Sequence, residues 1–235
     1  MHVGGRCEVH LGRIQDLRPT HLALLDDSEQ ARAQRYRLAA DRDRFQLGSV
    51  LLRVAAARQL DVLPADVAVD RTCGRCGAQH GRPLLPGTGL HASVSHSGDV
   101  VAVALTSCGP VGVDVEAVRP IDFAAIAESV CTPAERIHVR AEADFFTIWT
   151  RKEAVLKATG DGLSRPMSDV HVTPPSSAPA LLGLGGGPLG RGSGQPPACQ
   201  LADLSVGDGY RAGVAVLTAD PVTVSILDAS ALLAR

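Results

Sequence analysis

Ser97-Gly98-Asp99-Val100-Val101-Ala102-Val103-Ala104-Leu105-Thr106 and Gly207-Asp208-Gly209-Tyr210-Arg211-Ala212-Gly213-Val214-Ala215-Val216-Leu217-Thr218 read as two apolar strands, each entered through a Gly-Asp turn. Each closes a similar series. Ahead of the first, Ser28 to Leu60 has the three-to-four-residue apolar spacing of a helix, with Phe45, Leu47, Val50, Leu51 and Val54 on its stripe and Pro64 ending it. The alternating strand Asp66-Val67-Ala68-Val69 follows. Ahead of the second, a helix from about Ala141 to Thr159 carries Phe145, Ile148, Trp149 and Leu156 and stops at Gly160-Asp161-Gly162, before the strand Asp169-Val170-His171-Val172. A repeat of this length describes two domains rather than a solenoid. The expected fold is α+β, a pseudo-twofold pair of similar halves over residues 1–108 and 109–235 with the site in the cleft between them. The Pro, Gly and Ser content of residues 173–197 predicts a flexible loop there.

The 235 residues carry 23 Lys+Arg against 25 Asp+Glu, and 45% are hydrophobic. This is the balance of a soluble globule, with no basic excess to coat a nucleic acid. Met1 to Cys7 holds no apolar targeting core, and no run of roughly 18 apolar residues occurs, so a cytoplasmic protein outside the membrane is expected. Six cysteines are too sparse for a disulfide framework. Of the 23 basic residues only Lys152 and Lys157 are lysines, a bias that reads as GC-rich, bacterial coding. The two lysines stand out against it.

Three segments carry chemistry. In Val111-Gly112-Val113-Asp114-Val115-Glu116 the alternation of a strand sends Asp114 and Glu116 to one side, aimed at a wet cleft, where paired hard oxygens suit Mg²⁺; a solvated edge strand is the plain alternative. On the second helix Trp149, Glu153 and Lys157 fall at i, i+4 and i+8, so a carboxylate and an ammonium share a face with room for metal and phosphate, or form an ordinary surface ion pair. In the third, Arg82 follows Gly81, and Ser95-His96-Ser97 offers donors to a phosphate or forms a hydroxyl-capped turn. Arg44 and Arg82 add guanidinium forks for the same anion.

Gly-Val-Asp-Val-Glu at 112–116, Trp-x-x-Lys-Glu-Ala-x-x-Lys-Ala-x-Gly-x-Gly-Leu at 149–163 and Ser-His-Ser at 95–97 after Gly-Arg-Pro together resemble the surfactin-type 4′-phosphopantetheinyl transferases, in motif order from about Ser28 to Leu217. The resemblance implies transfer of the phosphopantetheine arm of coenzyme A to a serine of an apo acyl or peptidyl carrier protein, releasing adenosine 3′,5′-bisphosphate. It implies Mg²⁺ held by Asp114, Glu116 and Glu153, with Glu153 also the base and Lys157 steadying the phosphate. His96 matches a pyrophosphate-contacting histidine, with Ser95 beside it. Arg44 matches a residue gripping the 3′-phosphate, and Arg82 stands where the family usually has Lys. Positions where some members place lysines read Ser28 and Ala31, and Arg32, Arg35 or Arg37 would substitute. A duplicated chain builds its cleft alone, so a monomer is expected.

Cys73-Gly74-Arg75-Cys76, with His80 four residues on, supplies three of the four ligands of a zinc site; His91 or another cysteine would be the fourth, and without it the thiols remain reduced in a surface loop. Two further readings stay in play: a Mg²⁺-dependent phosphohydrolase on the same carboxylates, and a non-catalytic, zinc-stabilised binding module.

Overall fold

A computed structural model describes residues 4–185 and 196–234. In chain order the elements are β1 (Gly5–Arg13), α1 (Asp27–Ala33), α2 (Ala39–Leu60), β2 (Asp70–Thr72), β3 (Gln79–Leu84), β4 (His91–Ser97), β5 (Val100–Thr106) and β6 (Val111–Ala117). There follow α3 (Phe123–Val130), α4 (Pro133–Arg136), α5 (Glu142–Thr159), β7 (Val170–Val172), β8 (Leu181–Leu184), β9 (Gln200–Asp203), β10 (Tyr210–Val216), β11 (Val222–Asp228) and α6 (Ser230–Leu233). The α+β class holds.

Four layers stack. A six-stranded sheet, ordered β11-β1-β5-β4-β3-β2, carries α2 on one face, where Leu47, Val50, Leu51 and Ala55 bury against Val101, Val103 and Leu105. Its other face packs on a three-stranded sheet, β6-β10-β9, through Val9, Ala102, Val113, Val115 and Val214. The outer layer is α5, whose Phe145, Ile148, Val155 and Leu156 close a third core together with Ala215 and the β7–β8 hairpin residues Val170 and Val172. Each of these faces is apolar because strand alternation and helical spacing put it there.

Several sequence expectations need correction. The helix over Ser28–Leu60 is two helices, α1 and α2, parted at Gln34 to Leu38. The break lets α1 fold back so that Glu29 and its N-cap Asp26 both reach the buried Arg53 of α2. Asp66-Val67-Ala68-Val69 is not a strand; Pro64–Asp66 is a 3-10 turn and Val67 turns its carbonyl to Arg53 at 2.9 Å. Ser97 ends β4 and Gly98-Asp99 is the turn of a β4–β5 hairpin, so the three residues are not the start of β5. Within 173–197, expected as loop, Leu181–Leu184 pair with β7, while residues 186–195 lie outside the described residues. The fully buried Arg151 holds the preceding turn, donating to the carbonyls of Thr173, Pro174 and Ser177 and pairing with Asp203.

Candidate functional site

The site begins at Gly112. A Cβ there would lie 1.9 Å from the Ala154 carbonyl oxygen and 2.6 Å from the Ala158 nitrogen, so only glycine lets α5 settle this closely on β6. Strand alternation then turns Asp114 and Glu116 toward α5, while Val113 and Val115 go into the core between the sheets. Lys157, on the last turn of α5, donates to Asp114 Oδ1 at 2.7 Å, to the Val113 carbonyl at 3.0 Å and to Ser95 Oγ at 3.0 Å. The helix ends one turn later on Gly160, whose φ of 79° is the left-handed cap that residues with a Cβ resist.

Asp114 is only 4% exposed, so it belongs to the buried joint between β4, β6 and α5, and the expectation that it faces a wet cleft is corrected. Ser95 donates to Asp114 Oδ1 at 2.8 Å and Ser97 to Glu116 Oε2 at 2.7 Å. The same hydroxyls, with that of Ser93, accept from the backbone N–H groups of Val113, Val115 and Ala117. Three alternate serines of β4 therefore satisfy the β6 backbone and bind one sheet to the other. The Ser-His-Ser string is a strand, not a capped turn.

Glu153 lies one helical turn before Lys157. Burial pushes its carboxyl above the ordinary value; Lys157 opposes the shift, and the nearby charges of Asp114 and Glu116 add to it. These carboxylates are hard oxygen donors, and Asp114 Oδ2 is buried with no hydrogen-bond partner among the described residues, an orphan that a cation would satisfy. The donor set fits a divalent ion. The three carboxylates do not close to within 4.8 Å of one another, so side-chain rotation has to bring them onto a common ion.

Lys157 also lines a cleft of about 890 Å³ between α2, β3, β4 and the end of α5. Arg32, Arg44, Arg71, Arg75 and Arg82 share the lining, against the single acidic side chain of Asp161, which pairs with Arg165. Arg44 donates to the Gly98 carbonyl at 2.7 Å and pairs with Asp41. Arg82 lies over the C-terminal end of α5, close enough that a Cβ on Gly160 would come within 3.1 Å of its Nη1, where the helix dipole favours a cation. His96 stands on the cleft wall; desolvation there, then Arg44 and Lys157, lower its pKa and favour the neutral ring.

Of the residues singled out from sequence, Asp114, Ser95 and Lys157 are in direct contact, Glu153 and Glu116 flank them, and Arg44, Arg82 and His96 line the adjoining cleft. Arg32 is the upstream arginine that reaches it, with its guanidinium 4.8 Å from the Phe45 ring. Sequence reasoning missed Arg71. Its Nε is buried beside Phe45 without a partner among the described residues, and the only signal was its place two residues before Cys73. Lys152, conspicuous in sequence, is not in the cleft: fully buried, it pairs with Glu135 at 2.6 Å.

A cation-walled cleft joined by one lysine to a buried carboxylate group has the make-up of a site for an anionic ligand. The chain belongs to the 4′-phosphopantetheinyl transferase superfamily. The profile described as "4'-phosphopantetheinyl transferase superfamily" matches residues 110–214, which run from the start of β6 through α5 to β10. The chain is 32% identical over 229 residues to the 4′-phosphopantetheinyl transferase HetI of Nostoc sp., covering 89% of this chain and 87% of that protein. It is 35% identical over 167 residues to psf-1 of Bacillus pumilus, 66% and 65% of the two chains, and 27% identical over 158 residues to Sfp of Bacillus subtilis, 64% and 67%. Membership makes the chain a transferase and sets aside the non-catalytic module. No helix among the described residues is long and apolar enough to cross a membrane.

Proposed function

We propose that this enzyme moves the 4′-phosphopantetheine arm of coenzyme A onto a serine hydroxyl of an apo acyl or peptidyl carrier protein and releases adenosine 3′,5′-bisphosphate. The observation that carries the reading is Lys157, which spans from buried Asp114 to a cleft lined by five arginines. Such a cleft suits the nucleotide, with Arg44 on the 3′-phosphate, Arg82 and Arg71 beside it, and His96 and Lys157 toward the pyrophosphate. Asp114, Glu116 and Glu153 would hold Mg²⁺, which when bound offsets the charge of the pyrophosphate.

Glu153 is the base. It takes the carrier serine proton directly or through one water; without a metal, burial holds its carboxyl above the ordinary value. The serine Oγ–P bond forms as the bond from that phosphorus to the bridging pyrophosphate oxygen breaks. Lys157, its ammonium fixed by Asp114, Ser95 and the Val113 carbonyl, sets a positive charge beside the transferred phosphate. Residues 1–108 supply most of the nucleotide side and residues 109–235 the carboxylates, in a cytoplasmic monomer.

Incubation with coenzyme A, Mg²⁺ and an apo carrier protein tests this. The carrier should gain roughly 340 Da, the mass of one phosphopantetheine. Cleavage of coenzyme A with no mass gain on the carrier would instead establish a phosphohydrolase.

A further inference from the structure

We infer that Cys73, Cys76 and His80 form a zinc site on the lip of the cleft, with three protein ligands and a fourth position open to water. Among the described residues this is the one group of His, Cys, Asp and Glu side chains whose ligand atoms all lie within 4.8 Å of one another. His91, expected as a fourth ligand, is not part of it. Tetrahedral zinc, with bonds of about 2.3 Å to sulfur and 2.0–2.1 Å to nitrogen, needs its ligand atoms about 3.5–4 Å apart, so the Cys76 Sγ to His80 Nε2 separation of 2.9 Å opens by under about 1 Å when an ion enters. Two thiolates and one imidazole are a soft donor set that selects zinc over magnesium.

The backbone assembles these ligands without the ion. Cys73 N–H donates to the Ala78 carbonyl and Gly77 N–H to the Cys73 carbonyl, both at 2.8 Å, which folds the six residues between β2 and β3 into a tight turn. Gln79 Nε2 donates to Thr72 Oγ1 at 2.8 Å across the same hairpin. The hairpin would otherwise be weak. Its strands pair at only two positions, with a register break between them, and residues 73–80 pack nothing apolar into any of the three cores. Arg71 stands two residues before Cys73 and Arg82 two after His80, and all four line the cleft. An ion at this turn would fix the two arginines by fixing the turn. Binding forms two Zn–S bonds and one Zn–N bond and releases up to two thiol protons to buffer, with no redox change.

The test uses the full-length, untagged, reduced protein with zinc and cobalt as probes. After dialysis against a weak chelator, elemental analysis should return about one zinc per chain. Cobalt(II) exchanged into the protein should give the thiolate-to-metal band and visible d–d bands of tetrahedral coordination, bleached by one equivalent of zinc. Cys73→Ser, Cys76→Ser and His80→Ala should each weaken retention at least 10-fold, and Cys199→Ser should not, all four variants keeping the wild-type melting profile within a few degrees. Amide exchange over residues 70–84 should slow at least 10-fold with zinc bound. These readouts do not involve transfer, so they stand or fall apart from the proposed reaction. Less than a tenth of an equivalent of zinc with no cobalt bands, bands that survive Cys73→Ser/Cys76→Ser, or a Cys73–Cys76 disulfide in the reduced protein would overturn the site.

Discussion

Lys152 carries its ammonium into the core, where the Glu135 carboxylate and the carbonyls of Val130 and Met167 surround it. Lys157, five residues on, brings the same group to the edge of the cleft and onto Asp114. A pair as buried as Lys152–Glu135 does little good by existing but much harm when halved. Lys152→Ala should therefore cost about 3–5 kcal/mol of stability, read from urea unfolding; a loss below 1 kcal/mol would mean that water reaches Glu135. Lys157→Arg should retain the fold while lowering transfer, because a broad fork does not reproduce three bonds from one compact ammonium. Glu153→Gln separates the base from the scaffold in the same way. Turnover should fall on the order of 10² or more with coenzyme A affinity little changed. The folded carboxyl is raised above its ordinary 4.5, so the folded state holds the proton more firmly, and the native form loses stability as pH rises through the raised value. In metal-free buffer Glu153→Gln should then melt above wild type at neutral pH and level with it below pH 4.5. A variant that melts lower at neutral pH would show the charge to be a stabilising one.

At the scale of elements, Gly112 decides whether α5 reaches β6. Any Cβ meets helix backbone, which has no rotamer to escape into, so Gly112→Ala should destabilise by about 3 kcal/mol, at the upper end of overpacking, and reduce transfer by drawing Lys157 away from Asp114. Wild-type melting and activity would mean that the helix slides without cost. The sequence made α5 legible because Phe145, Ile148, Leu156 and the Gly160 cap follow one period, and it made β6 legible because valines alternate with Gly112, Asp114 and Glu116. It hid the gap between α1 and α2, since Gln34-Arg35-Tyr36-Arg37-Leu38 has neither Gly nor Pro. β1 carries a strand period in plain view, Cys7, Val9 and Leu11 alternating with Glu8 and His10, but nothing local marks that β5 and β11, far along the chain, cover it on both sides and bury the polar pair as well. For the site, residue types singled out the groups that gather around Lys157 and the cleft, but not that Ser95 and Ser97 spend their hydroxyls on β6, which only the meeting of two sheets reveals.

Across the whole molecule, two features oppose independent folding of the halves. The chain returns after the second sheet to lay β11 parallel to β1, Gly5 against Val222 through Leu11 against Asp228, so the first sheet is completed by the last strand. The serines of β4 supply the acceptors that the β6 backbone would otherwise lack in a buried joint. Leaving Val113, Val115 and Ala117 N–H groups unpaired costs about 1–3 kcal/mol for each that stays buried. Removing all three hydroxyls in Ser93→Ala/Ser95→Ala/Ser97→Ala would thus cost a large part of the 5–15 kcal/mol that holds a typical domain together. Wild-type protein should unfold in urea as one transition, with α2 and α5 lost together, because neither sheet keeps its partners once the other has gone. The triple variant should move that midpoint sharply down without dividing it. Site-resolved amide exchange offers the stricter comparison, in which β5 and β10 should open with the same free energy and the same urea dependence. Separate openings, or a wild-type transition in two steps, would mean that the serine joint and the returning strand only decorate two self-sufficient halves.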